Sequence, residues 1–171
     1  MPLIDVTVPV LLSGIHYMTS PYGMRTLNGV TKMHNGVDLV SHNGKTTTTD
    51  YIIAYAAGSV SAVGYNSAMG YYVRINHGDY ETHYQHLAAP ADFNVGDIIE
   101  KGQTLAYMGA TGNAIGAHIH FGVLVAGEWT DPMPFLQRTV EYADVFEWAK
   151  DNAAKYTLEE MLEILREATE K

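Results

Sequence analysis

The chain has 171 residues, 47% of them apolar and 17% charged, which excludes a disordered polymer and suits one domain with a core plus terminal elaboration. A formal charge of −9 argues against nucleic acid or an anionic membrane as the main partner, and no stretch approaches the roughly 18 apolar residues needed to span a bilayer. With no cysteine, a disulfide framework and a thiolate metal site are both excluded, so any transition metal must be held by histidine and carboxylate.

The first segment, 1–19, opens "MPLIDVTVPVLLSG" without a basic region and with Pro2, Asp5 and Pro9, which makes a poor signal peptide. Residues 20–138 read as short strands punctuated by glycine: "YIIAYAAGSVSAVGY", "GYYVRINHGDYETHYQHL", "VGDIIEKGQTLAYMG" and "GAHIHFGVLVAGEW". Each apolar run is roughly 4–8 residues long and bounded by turn residues, as in antiparallel strands. "NHGD" predicts a hairpin tip with Gly78 at positive φ, and "TTTT" at 46–49 an exposed loop tip. The character changes over 139–171, where 4 basic and 9 acidic side chains accompany a helical pattern. Thr157 and Glu160 form a capping box, and Leu158, Met161, Leu162 and Leu165 make one apolar stripe. That stripe suits packing on the chain's own domain or on a partner, including a wall contact. A faint likeness of "EWAKDN" and "TLEEMLEIL" to surface-layer-homology segments lacks that repeat's loops.

Three short motifs carry chemistry. In "AHIHF", His118 and His120 lie two apart and share a strand face, while Ile119 and Phe121 face the other way. In "MHNGVDLV", His34 and Asp38 are an even number apart, so an extended chain again puts them on one face. Asn35 and Gly36 argue against a helix there. In "YETHYQHL", parity separates His86, which goes with Tyr84, from His83. One of the two lines a groove and the other does not, unless a bulge intervenes. Two histidines and an aspartate with an open fourth position form a catalytic zinc pattern, with further histidines left for proton transfer.

These residues resemble the lysostaphin-like (LytM-type) zinc metallopeptidases. The match runs in the family's order through "YGMR", "HNGVDLV", "AAGSVSAVGYNSAMGYYVRINHGD", "THYQHL", "VGDIIEKGQTLAYMGATGNAIGAHIHF" and "DPMPFL". The resemblance implies a mainly β fold, an antiparallel two-sheet sandwich with an open groove, carrying the C-terminal helical extension. It implies one Zn²⁺ held by His34, Asp38 and His120, with His86 and His118 as catalytic histidines. His83 is then outward-facing, His77 a tip residue, and His16 and His42 surface residues. The implied substrate is a peptide of bacterial peptidoglycan, a glycine bridge or a D-alanyl–diamino acid cross-link. The implied place of action is the cell wall, reached through phage release, from a virion, or within a larger exported protein.

Two positions depart from the family pattern: "AIGAHIH" before the histidine pair, and Gly122 where many members carry an acidic or amide residue. Both concern the groove wall rather than a ligand. A non-catalytic zinc- or peptidoglycan-binding module is the alternative, and the filled ligand positions argue against it. "VGDIIEKGQTLAYMG" also resembles the hairpins of biotinyl and lipoyl carriers, but no exposed M-K-M-like turn accompanies it.

Overall fold

A computed structural model describes residues 16–27, 29–41, 50–136 and Thr157. The chain divides into two compact units, Met1–Gln137 and Arg138–Lys171, and every described element belongs to the first. The poor signal-peptide segment, the "TTTT" stretch, His42, the His16 side chain and the predicted helices of 139–171 lie outside the described residues.

Among the described residues, twelve strands and one short helix follow in chain order. They are β1 (His16–Ser20), β2 (Gly23–Leu27), β3 (Val30–His34), β4 (Val37–Ser41), β5 (Tyr51–Ile53) and β6 (Gly58–Asn66), then β7 (Gly70–Asn76), β8 (Tyr80–Leu87), β9 (Ile98–Ile99), β10 (Thr104–Tyr107), β11 (Ile119–Val125), β12 (Glu128–Thr130) and α1 (Met133–Leu136). The main sheet is antiparallel, in the order β1-β4-β11-β8-β7-β6-β9 with β12 added to β11; β5 pairs with β10, and β2 with β3. The expected mainly β, antiparallel architecture is therefore the one the chain adopts, with the second layer reduced to the β5–β10 ribbon.

Alternation along the strands builds the core. Val37 and Leu39 of β4, Ile119, Phe121 and Val123 of β11, Tyr84 of β8 and Val73 and Ile75 of β7 all point to one face and are fully buried. Ile52, Leu105, Met108 and Leu136 pack against them from the covering layer and α1. Each such side chain contributes roughly 1.5–3 kcal/mol over its exposed state. The intervening residues, Asp38 and His120 among them, project from the opposite face.

The turns behave as their residues require. Gly78 takes φ +98 in the β7–β8 hairpin, and its N–H donates to Asn76 Oδ1 at 2.7 Å. Ala126 and Gly127, at φ +50 and +85, make the two-residue turn that returns the chain from β11 to β12 and so places Trp129. His77 is a structural residue: Nδ1 meets the Ala57 carbonyl at 2.7 Å and Nε2 the Thr82 hydroxyl at 2.8 Å. Thr82 continues to the buried Tyr84 hydroxyl, which accepts the Tyr55 N–H.

Candidate metal centre and its histidines

The β3–β4 connection is only Asn35 and Gly36, so His34 ends one strand as Asp38 lies near the start of the next. Asp38 stands directly opposite His120 in the β4–β11 register. Three ligand atoms converge: His34 Nε2 lies 3.0 Å from Asp38 Oδ1 and 2.9 Å from His120 Nδ1, and the last two are 3.0 Å apart. A tetrahedral zinc at about 2.0–2.1 Å from its ligands spaces them at roughly 3.3 Å, so small outward shifts accommodate the ion. All three side chains are buried, and together they are a group able to hold a metal. The approach is close because Gly36 has no side chain: a Cβ there would lie 2.6 Å from His120 Nε2 and 2.5 Å from the Phe121 carbonyl.

Hydrogen bonds set which nitrogen of each ring is available. The Nδ1–H of His34 donates to the Pro21 carbonyl at 2.7 Å, leaving Nε2 for a metal. Arg25 Nη1 donates to Asp38 Oδ2 at 2.8 Å and to Ser20 Oγ at 2.6 Å, which leaves Oδ1 facing the two imidazoles. Burial works against the ionised Asp38 carboxyl, but hydrogen bonding from His120 and His34 and their charge outweigh it and hold it far below the usual carboxylate range. Burial also pushes His120 down, against the pull of Asp38, and so favours the neutral imidazole that ligates.

His118 and His86 flank this trio. His118 donates Nδ1–H to the Gly116 carbonyl at 2.8 Å, and its Nε2 lies 3.6 Å from Asp38 Oδ1. His86 donates Nδ1–H to the Thr111 carbonyl at 2.8 Å; its ring centroid is 4.7 Å from that of His118 and 6.2 Å from that of His120. Thr111 is itself pinned, accepting the Tyr71 N–H and donating to the Leu87 carbonyl. Burial, with the charges of His118 and His120, brings His86 down to about 4 despite its carbonyl partner, so it is neutral near pH 7. Both rings thus keep Nε2 free, and that of His118 faces Asp38. They line one wall of a groove of about 340 Å³ whose other sides include Leu27, Val40 and Ile115.

Parity alone does not bring His86 there. Register along β8 places Gln85 opposite His120, and His83 opposite Gly122, on the ligands' side of the sheet, whereas Tyr84 points into the core. The β7–β8 register slips between Tyr71 and Val73, which leaves one extra residue on β8, and His86 takes φ +64. The His86 N–H turns to the Met69 carbonyl at 2.8 Å. This bulge swings the side chain across to the groove. The expected outward-facing His83 is corrected accordingly. It shares the ligands' sheet face and is buried, at 2% exposure, with Nε2 2.5 Å from Glu81 Oε1 and the Trp129 ring at 4.7 Å.

The structure therefore brings together all five residues expected at the site: His34, Asp38, His86, His118 and His120. Sequence reasoning did not single out Arg25, although "YGMR" contains it, and it read Gly36 only as an argument against a helix, not as a residue that lets the ligands approach. The departure at Gly122 is also accounted for: a Cβ there would meet Trp129 at 2.9 Å and the Asn35 carbonyl at 3.0 Å, so the indole fills that space.

Residues 32–132 match the model of Peptidase family M23. Peptidoglycan DD-endopeptidase ShyC of Vibrio cholerae serotype O1 is 34% identical over 123 residues, covering 71% of this chain and 26% of that protein. A zinc-containing peptidase from Vibrio cholerae superposes with a TM-score of 0.61 at 28% identity, over 73% of this chain and 37% of the other. The catalytic domain of lysostaphin from Staphylococcus simulans gives 0.60 at 29% identity, over 72% and 93%. The chain spans about a quarter of the length of the curated relatives it matches.

Proposed function

The chain belongs to peptidase family M23, and from that premise we propose that it is a zinc-dependent endopeptidase that hydrolyses peptide cross-links or bridges of bacterial peptidoglycan. The observation that carries this reading is the convergence of His34 Nε2, Asp38 Oδ1 and His120 Nδ1 within 3.0 Å of one another, beside two further histidines that present Nε2. Two nitrogens and one carboxylate oxygen suit zinc, and the Pro21 and Arg25 contacts orient the first two ligands as such a site requires.

Bound zinc supplies Lewis acidity, which polarises the scissile carbonyl and makes water a nucleophile near neutral pH. The protein's part is to hold and move protons. With Nδ1–H committed to Thr111, neutral His86 has its Nε2 lone pair free to accept a proton from the attacking water. His118, fixed by Gly116 in the same tautomer, stands beside His86 with its ring 4.7 Å away, so that the proton taken from water can be returned through this histidine pair to the leaving amine while the protonated Nε2 serves the developing oxyanion. The groove's open side admits an extended peptide, and the sheet beneath gives it a rigid floor.

On this reading residues 20–138 form the catalytic domain and 139–171 a separate acidic extension suited to contacting a partner or the wall, and the protein acts at the cell wall. No helix among the described residues is long and apolar enough to cross a membrane. The test is digestion of purified peptidoglycans of differing bridge chemistry, with the new termini identified by mass spectrometry. New amino and carboxyl termini that appear with zinc and vanish with a chelator are expected. Intact peptides in every zinc-supplied digest would overturn the proposal.

A further inference from the structure

Gln85 extends the row of metal ligands across the sheet. It stands directly opposite His120 in the β8–β11 register, as Asp38 does in the β4–β11 register. Its neighbour Tyr84 points into the core, so the Gln85 side chain leaves on the ligands' face. Residues opposed across an antiparallel pair have Cα atoms about 4.5–5.5 Å apart, which puts the Gln85 amide within reach of a peptide held at His120. On its far side Tyr72 faces Gln85 and His86 together, because Tyr71 pairs with Leu87 and Val73 with Tyr84. The Arg74 guanidinium, 5.2 Å from the Tyr72 centroid, holds that ring in place.

The polar groups around Gln85 are committed, and its own amide is not. His34, Asp38 and His120 turn to one another, His83 to Glu81, and Glu81 to the Ser61 hydroxyl. Gln85 is only 9% exposed, yet its side chain hydrogen-bonds none of the described residues. Nor is the amide sealed from solvent, as the orphaned Arg25 Nε, Arg74 Nε and His83 Nδ1 are. A primary amide has an acceptor oxygen and two donor hydrogens, the complement of the N–H and C=O of a peptide unit. Beside the metal ligands, such a group is arranged to take a partner from outside the chain.

We infer that Gln85 is a positioning residue that binds the backbone of the substrate peptide. Its Oε1 accepts the N–H of the residue whose carbonyl is attacked, and Nε2 is left to donate to the next carbonyl on that acyl side. The leaving amine has to meet His86 and His118, whose rings sit together, 4.7 Å apart, in the groove wall. Gln85, in the ligand row and outside that wall, falls to the acyl half. The N–H concerned belongs to the same residue as the attacked carbonyl, so it lies within one residue's span of about 3.3–3.6 Å, matching the single strand spacing between His120 and Gln85. The contact reads backbone and no side chain, so it serves a glycine bridge and a D-alanyl cross-link alike.

This rests on the zinc-endopeptidase reading, and the experiment separates the two. Zinc-loaded wild type and Gln85→Met, which keeps the side chain's length without its amide, are assayed on the cross-link that wild type cuts, a D-alanyl–diaminopimelyl dimer or a glycine bridge. Each is paired with an analogue in which lactate or glycolate replaces the residue on the acyl side of the cut. That exchange turns the N–H into an ester oxygen and leaves the scissile amide intact. Wild type should lose roughly three- to tenfold in kcat/KM on the ester analogue, the worth of one hydrogen bond. Gln85→Met should cleave both forms at that low level, with one zinc per chain and the wild-type pH profile. Wild type indifferent to the ester, Gln85→Met as fast as wild type on the parent peptide, or an undiminished ester effect in Gln85→Met overturns the contact and leaves the endopeptidase reading intact. Zinc-loaded wild type that cuts neither cross-link overturns both.

Discussion

The rings of His86 and His118 lie 4.7 Å apart although the register of β8 assigns His86 to the core side of the sheet. The extra residue on β8 and a left-handed backbone at His86, φ +64, carry the side chain across. A non-glycine residue pays about 1–2 kcal/mol for that conformation, and the fold holds it through the Met69 carbonyl below and the Thr111 carbonyl above. At this position His86→Gly should therefore be more stable than His86→Ala by about 1 kcal/mol, the reverse of the order in a regular strand. Both should bind zinc and lack turnover. Denaturant unfolding of the two variants checks this, and an Ala variant equal to or better than the Gly variant would remove the bulge from the account.

Arg25 fixes which oxygen of Asp38 faces the imidazoles. Arg25→Met should weaken zinc binding by roughly 10–100-fold, as loss of a group orienting a ligand does. Arg25→Lys, a single point of contact in place of a planar fork, should fall between. Competition for zinc against a chelator of known affinity reads both values, and an unchanged affinity in Arg25→Met would exclude the orienting role.

Gly36 lets β4 approach β11 closely enough for His120 to join His34 and Asp38. Gly36→Ala would drive a methyl into the His120 ring and the Phe121 carbonyl. It should cost about 1–3 kcal/mol of stability and reduce zinc affinity at the same time. Gly116→Ala, whose added methyl meets nothing within 4 Å, is the matched control and should change neither. Thermal unfolding with and without zinc measures both effects.

His83 gives the metal-free protein an acid-sensitive element. Burial and the neighbouring Arg74 charge outweigh Glu81 and bring its pKa down to about 4, below the ordinary 6.5 of an unfolded chain. The unfolded chain then binds the proton first. The stabilisation is fully present above pH 6.5 and is lost as pH falls towards 4, by up to about 3 kcal/mol. His86, also about 4, adds a loss of the same sign. Unfolding free energies at pH 7.5 and 4.5 should differ less in His83→Gln than in wild type; an equal difference would show that His83 titrates as it does in the unfolded chain.

The His118–His120 pair was legible because residues two apart in an extended segment share a face, whereas His34 and Asp38 end up together across the Asn35–Gly36 connection between β3 and β4 rather than along one strand. The alternation of Val37, Leu39, Ile119 and Phe121 was legible for the same reason. What the spacing hides is long-range. The bulge that brings His86 over depends on Met69, Tyr71 and Thr111, which are distant from "YQHL" in sequence, so simple alternation put His83 on the wrong side. Arg25 acquires its role only when β2 folds against the start of β4. Gly122 looked like a missing side chain until the Ala126–Gly127 turn brought Trp129 onto it.

The division of labour between the two histidines of "HIH" is the central claim, and one paired measurement on His118→Ala tests it: bound zinc per chain, and turnover on a cross-linked muropeptide that wild type cleaves. One zinc per chain is expected, with turnover reduced by roughly 10²–10⁴-fold, the usual worth of a proton-transfer group. His120→Ala, measured alongside, should hold no zinc at all. Full turnover in a zinc-replete His118→Ala protein, or loss of its zinc, would contradict the assignment.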